Sequence, residues 1–334
     1  MTRAKTLLLT PGCPAGIGPE VLAQAMLRLG TVENIEFVFA GTQEGLVQAA
    51  KRCGANFKQN IFSKGTQKSA PIQCLYQPKD LPPFSKPGEI TPDALHIQSA
   101  ALQKAVELGK ENRIEGIVTA PIRKAAMKYL GNEFLGHTEF LHAHLGADQA
   151  PPLMAFSGGP FLLGLASIHV PLAQVPQSLT APAIENALCR LQSLCQRFYQ
   201  IPHPKIVVLG LNPHAGEEGL LGREEKELIA PTLEKLQKKG LQIVGPVSAD
   251  GFFARFGKKG YEPHAHGVLA MFHDQGLAPY KILSQGAGVN ITCGLKLVRT
   301  SPDHGTADDI AGKNIASSDA MYEAIKTSLR LLQV

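Results

Sequence analysis

Short apolar runs alternate with longer amphipathic stretches along most of this chain, and that alternation limits its fold more than any other feature. Residues 7–9, 35–40, 114–119, 161–169, 205–211, 241–244 and 267–272 read as strands. Residues 19–29, 43–52, 92–112, 181–199 and 223–239 read as helices. In the stretch 181–199, Ile184, Leu188, Leu191, Cys195 and Phe198 recur at spacings of four and three, the stripe of one buried helix face. Alternating β and α elements predict an α/β fold with a mainly parallel sheet and helices on both faces. With 334 residues, two α/β lobes are expected rather than one core. Residues 54–91, rich in Pro, Ser and Lys, read as loops and short strands.

Composition excludes several classes. The net charge of +5 is spread without a Lys/Arg block, which argues against nucleic acid as a partner. No apolar stretch approaches ~20 residues, so no membrane span is expected. The run 7–9 is too short for a signal-peptide core. The six cysteines are scattered with no CxxC pair, which suits reduced thiols and a cytoplasmic location.

Three predicted strands run into histidine: 161–168 into His169, 206–213 into His214, and 268–272 into His273. Ligands of parallel sheets bind beyond the carboxyl ends of strands. A lone strand-end histidine usually serves its own loop, but three suit a catalytic divalent metal with positions open for substrate oxygens. His264 and His266 precede their strand and belong at the opposite end, and His142 and His144 suit surface or core roles on a helix.

Two glycine loops and a set of polar residues complete the candidates. Gly12 to Glu20, with Gly16 and Gly18, joins a strand to a helix but is neither GxGxxG nor a Walker loop. It reads as a tight turn or as a close approach of backbone to ligand. His137 and Thr138 open an apolar helix, either as caps or as an anion seat. Lys281, Asn290 and Arg299 follow in and around a Gly-rich region, where solvated surface groups are the ordinary alternative.

The motifs PAGIGPE (14–20), GHTEF (136–140), HVPL (169–172), GLNPHAGE (210–217), FHDQGL (272–277), GVNITCGL (288–295) and RTSPDHGTADDIAGK (299–313) together resemble the PdxA family of 4-hydroxythreonine-4-phosphate dehydrogenases, which act in vitamin B6 (pyridoxine) biosynthesis. The resemblance spans essentially the whole chain. It implies a two-lobed isopropylmalate/isocitrate-dehydrogenase-like fold, with residues 1–138 and about 300–334 in the first lobe and about 139–299 in the second. It implies a homodimer with shared active sites, in which His169, His214 and His273 ligate one zinc, cobalt or magnesium ion and His273 comes from the other subunit. It implies substrate contacts from His137, Thr138, Lys281, Asn290 and Arg299. HGTADDIAGK looks like the adenosine loop of the wider group, placing Gly16, Gly18, His304, Gly305, Thr306, Ala307 and Asp309 at NAD. Cys13 stands where the family often has Asp or Glu, and Ser317 where the isopropylmalate-type loop has Asn.

The activity so implied is NAD-dependent oxidation of the C3 hydroxyl of 4-phosphooxythreonine, followed by decarboxylation to 3-amino-2-oxopropyl phosphate. Lys281 is the candidate base, with Asp250 and Asp274 as alternatives. A dehydrogenase for threonate or erythronate phosphate, or a phosphate acyltransferase-like enzyme, is the rival reading.

Overall fold

The computed structural model describes residues 3–53, 72, 74–76, 86–130, 136–257 and 264–333. They divide into two compact units, Met1–Ala147 with Leu295–Val334, and Asp148–Gly294.

The first unit contains β1 (Lys5–Thr10), α1 (Gly18–Leu29), β2 (Ile35–Ala40), α2 (Gln43–Arg52), β3 (Cys74–Tyr76), α3 (Pro92–Lys110), β4 (Gly116–Thr119) and α4 (His137–Leu145). The second contains β5 (Leu153–Ser157), β6 (Leu162–Leu165), α5 (Val175–Ser178), α6 (Ala181–Tyr199), β7 (Ile206–Leu209), α7 (Ala230–Lys238), β8 (Ile243–Val247), α8 (Ala249–Ala254), β9 (Gly267–Ala270), α9 (His273–Ser284) and β10 (Val289–Cys293). The chain then returns to the first unit for β11 (Val298–Pro302) and α10 (Asp319–Leu332).

In the first unit the strand order is β3-β2-β1-β4-β11, and every pair is parallel. Leu7, Leu8 and Leu9 of β1 are all buried, as a central parallel strand covered on both faces requires. Leu8 packs in a core with Leu102, Val106, Ile117 and Leu141. The α3 helix starts where Thr91 Oγ1 accepts from Ala94 N at 3.2 Å, with Pro92 in the first turn.

In the second unit the order is β10-β5-β6-β9-β7-β8. The pairs β6–β9, β9–β7 and β7–β8 are parallel, whereas β10–β5 and β5–β6 are antiparallel. The α6 stripe is buried at Ile184, Leu188, Leu191 and Cys195, with Phe198 half-buried, and Thr180 caps the helix from Oγ1.

Several elements differ from the sequence expectation. The stretch 223–239 opens as a wide π turn over Glu225–Ile229 before α7, ahead of Pro231, which has no N–H to donate. The strand read over 161–169 ends at Leu165, and residues 166–169 leave the sheet as a loop. The strands β5, β10 and β11 and the helix α10 had no counterpart in the expectation. Most of the stretch 54–91 lies outside the described residues; what is described includes β3. Cys13, Cys53, Cys189, Cys195 and Cys293 are free thiols. Among the described residues no helix is long and apolar enough to cross a membrane.

Candidate functional site

The neighbouring parallel strands β6, β9 and β7 deliver their carboxyl ends to one edge of the second unit. His273 is the first residue of α9, directly beyond β9, and His169 lies in the loop after β6. Their ring centres are 6.0 Å apart. Both line a cavity of about 320 Å³ with Ile168, Val170, Leu172, Val175, Phe272 and Asp274. His273 Nδ1 lies 2.6 Å from Asp274 Oδ1. An ionised carboxylate only accepts, so the ring proton sits on Nδ1 and the Nε2 lone pair faces outward, as in histidines held by a carboxylate for metal binding.

His214 is carried differently. It begins a run of five left-handed residues, His214, Ala215, Gly216, Glu217 and Glu218. For residues other than glycine this conformation costs roughly 1–2 kcal/mol each, so the surroundings must enforce it. Glu225, almost fully buried, accepts from Asn212 N at 2.7 Å and from Asn212 Nδ2 at 2.9 Å. A side chain at Gly216 would collide with the same carboxylate at 2.6 Å. His214 also acts on Asp250, whose carboxyl lies below its ordinary range. The Ser248 hydroxyl is the main cause, the Gly251 N–H adds to it, and His214 contributes less. The donors suit a divalent ion in kind and, at His273, in orientation. Among the described residues no three His, Cys, Asp or Glu side chains close on one point.

Two other histidines, His144 and His266, have structural partners. His144 Nδ1 meets Phe140 O at 2.9 Å, and its ring packs on Phe140. His266 Nδ1 accepts from Lys205 N at 3.0 Å, at the opposite end of β9 from His273.

In the first unit, the start of α4 forms a second polar centre. The N-cap is Gly136, without a side-chain bond, so neither His137 nor Thr138 caps the helix. Both are buried in its first turn. Arg299 on β11, 3% exposed, donates from Nη2 to Thr119 Oγ1 at 2.8 Å and lies 3.2 Å from His137 Nδ1. A guanidinium only donates, so His137 Nδ1 accepts and the ring proton is on Nε2. That Nε2 is buried and has no hydrogen-bond partner among the described residues. Burial, then the Arg299 charge, holds the His137 pKa well below 6.5. Burial likewise lowers Arg299 to about 10, against the pull of Glu139, and leaves it cationic at neutral pH. His137 is therefore a neutral donor of fixed tautomer beside a cation and a helix N-terminus.

The other substrate candidates lie in the second unit. Asn290 on β10 has a buried Oδ1 with no hydrogen-bond partner among the described residues. Lys281 is exposed in the last turn of α9, eight residues and about 12 Å of helical rise beyond His273.

The two glycine loops of the first unit meet each other. Ile17 N donates to Thr306 O at 2.9 Å, and a side chain at Gly16 would stand 2.7 Å from that oxygen. A side chain at Gly18 would stand 2.2 Å from Pro11 O. Thr306 Oγ1 donates to Asp308 Oδ2 at 3.1 Å, and Arg123 pairs with the same carboxylate. Buried Glu20 accepts from Gly312 N at 2.9 Å. These contacts leave Asp309 exposed, Gly305 with open space at its α-carbon, Ala307 at φ 41°, and His304 with a buried Nε2 that has no hydrogen-bond partner among the described residues. Sequence reasoning missed Arg123, Asp308, Glu20 and Glu225. A signal existed for Glu20, an acid within an otherwise apolar helix start, but none for a pair as distant as Arg123 and Asp308.

The family model for pyridoxal phosphate biosynthetic protein PdxA matches residues 33–328. A 4-hydroxythreonine-4-phosphate dehydrogenase of Azoarcus sp. (strain BH72) is 39% identical over 341 residues, 100% of this chain and 98% of that one. The crystal structure of 4-hydroxythreonine-4-phosphate dehydrogenase from Klebsiella pneumoniae aligns over 99% of both chains with a TM-score of 0.82 at 30% identity. A terephthalate 1,2-cis-dihydrodiol dehydrogenase from Burkholderia xenovorans LB400 shares the fold, with a TM-score of 0.66 at 24% identity over 99% of both chains.

Proposed function

The chain belongs to the PdxA family, and from that premise we propose that it oxidises 4-phosphooxythreonine at C3 with NAD and decarboxylates the product to 3-amino-2-oxopropyl phosphate. The observation that carries this reading is the His137 Nε2–H, a buried donor without an acceptor among the described residues, set beside cationic Arg299 at the start of α4. Such a centre suits an anionic group of the substrate, with the helix N-terminus adding its own positive field. Thr138, in the same turn, Asn290 and Lys281 are the further substrate contacts that the family resemblance implies.

His169, His214 and His273 would hold the divalent metal, of which zinc and cobalt suit imidazole donors best and magnesium is the third candidate. The metal, when bound, supplies Lewis acidity toward the substrate's oxygens. Gly16, Gly18 and the loop of His304, Gly305, Thr306, Ala307 and Asp309 would hold NAD, the hydride acceptor for C3. The C3 hydroxyl proton passes to a protein base. Asp274 is engaged by His273 and so orients that ring, and Asp250 is held in its ionised form by Ser248, which weakens it as a base. Lys281 is the remaining candidate. Oxidation leaves a ketone β to the carboxylate; the C–C bond electrons move toward that ketone as carbon dioxide leaves.

Two arrangements of the metal ligands compete. The family resemblance takes His273 from the second subunit of a homodimer. Zn–N bonds of about 2.0–2.1 Å put the 6.0 Å between the His169 and His273 rings of one chain near the upper limit for two rings on one ion, and among the described residues of one chain no three such side chains close on one point, so the shared arrangement is the one proposed.

The test is NADH formation, followed by absorbance, over a panel of phosphorylated hydroxy acids with and without chelator. Turnover is expected with 4-phosphooxythreonine and is lost with chelator. Preference for threonate or erythronate phosphate, or indifference to chelator, overturns the reading.

A further inference from the structure

Strands β1, β4 and β11 are neighbours in that order and all parallel, so their carboxyl ends lie along one edge of the first unit. Beyond that edge run three segments, residues 11–17, 120–123 and 303–312. Each pair of segments is tied by its own contact. Cys13 N donates to Pro121 O at 2.9 Å and joins the first to the second. Ile17 N donates to Thr306 O at 2.9 Å and joins the first to the third. The ion pair of Arg123 Nη2 with Asp308 Oδ2 joins the second to the third.

Both ends of that ion pair are held. Gln98, buried on α3, donates from Nε2 to Arg123 O at 3.0 Å and accepts at Oε1 from Arg123 N at 2.9 Å. It fixes the Arg123 backbone as a neighbouring strand would. Asp308 Oδ2 also accepts from Thr306 Oγ1 at 3.1 Å, two residues from the carbonyl that Ile17 meets. The Arg123 and Asp308 side chains are 27% and 22% exposed, so water screens them less than it screens the Arg28–Asp319 pair of the same unit, at 52% and 62%. Ala307, between Thr306 and Asp308, has a φ of 41°. A left-handed alanine persists only where its neighbours impose it, and the bonds of Thr306 and Asp308 flank it on both sides.

We infer that Arg123, through Asp308, is a positioning residue that holds segment 303–312 in the shape that receives NAD. This rests on the reading of that segment as a cofactor loop. Without the ion pair the segment samples other conformations, and the apparent affinity for the cofactor falls with the fraction of chains that keep the receptive one.

The experiment measures two properties of the full chain. Amide hydrogen exchange at Ile17, without cofactor, reports the tie to Thr306. Titration with NADH alone, followed by its fluorescence, reports affinity. Arg123→Met keeps an unbranched side chain and removes the cation. It is expected to speed exchange at Ile17 and to weaken NADH binding, each by about tenfold, the scale of one lost charge-assisted hydrogen bond. Arg123→Lys, which restores the charge, is expected to recover part of both, and Asp308→Ala to have at least the effect of Arg123→Met. The double variant is expected to be no weaker than Asp308→Ala alone, since both changes remove the same pair. Asp308→Asn keeps an acceptor for Thr306 and loses only the charge; its smaller effect of the same sign serves if the other variants fail to fold. The control is Arg28→Met, which removes the exposed pair and is expected to leave both readings within about twofold of the parent. Parent-like exchange at Ile17 in Arg123→Met overturns the inference and leaves the cofactor reading standing. Equal changes in Arg28→Met, or additive losses in the double variant, do the same. Faster exchange with unchanged NADH affinity overturns the cofactor reading, and the inference with it.

Discussion

Replacing His137 with asparagine isolates one proton. In the folded chain the imidazole is 8% exposed, its Nδ1 faces Arg299, and its pKa lies well below 6.5 because burial and then the guanidinium oppose a second proton. In the unfolded chain it titrates near 6.5. The folded pKa is the lower of the two, so below 6.5 the unfolded state binds a proton that the folded state refuses. The stability contribution is complete above that pH and is lost as the pH falls through it. For one such group the loss between neutral pH and pH 5.5 is about 1.4 kcal/mol. The introduced asparagine would place its Oδ1 near the position of the imidazole Nδ1, keep an acceptor for Arg299, and carry no titrating proton. Urea unfolding of both chains from pH 8 to 5.5 should show the parent losing about 1.4 kcal/mol more than His137→Asn, since other groups cancel in the difference. Nitrogen-15 imidazole shifts should show His137 neutral throughout, with the proton on Nε2. A stability difference that does not change with pH, or a His137 signal that titrates near 6.5, refutes both the buried neutral imidazole and the tautomer argument.

Mixing inactive His169→Ala with inactive His273→Ala under subunit exchange separates the two metal-site arrangements. If His273 comes from the other subunit, about a quarter of wild-type activity returns, because half the dimers are mixed and each has one intact site; if all three histidines serve one chain, none returns. NAD should be preferred over NADP, since exposed Asp309 suits a free ribose hydroxyl and repels a 2′-phosphate; equal kcat/KM values for the two would remove Asp309 from the cofactor. Gly16→Ala should raise the KM for NAD about tenfold with little change for the substrate. Its new methyl would meet Thr306 O at 2.7 Å and must push the two glycine loops apart, at a typical overpacking cost of about 1–3 kcal/mol. An unchanged KM for NAD would show that the loops do not form the cofactor cradle.

Periodicity was enough to read β2, α2 and α6 to their end residues, because each presents a full apolar stripe or run to a core. It was also enough to see that three strands deliver histidines, since strand ends and their next residues are local facts. The motifs carried the family and the substrate class. Pairing across distance was not legible. Strands β5 and β10 are held by antiparallel partners that no local pattern announces. Arg299 could as well have been a solvated cation; only its burial between Thr119 and His137 makes it part of a centre, and only that contact assigns the proton on His137. Asp274 read as a possible base, and only the folded chain shows that its carboxylate meets His273 Nδ1. Asp308 lay in a quoted motif without a role, because its partner Arg123 sits 185 residues away and meets it only when β4 and β11 lie side by side. A sequence specifies the residue types and the local period, while hydrogen-bond partners, burial and protonation depend on what the folded chain brings within a few ångströms.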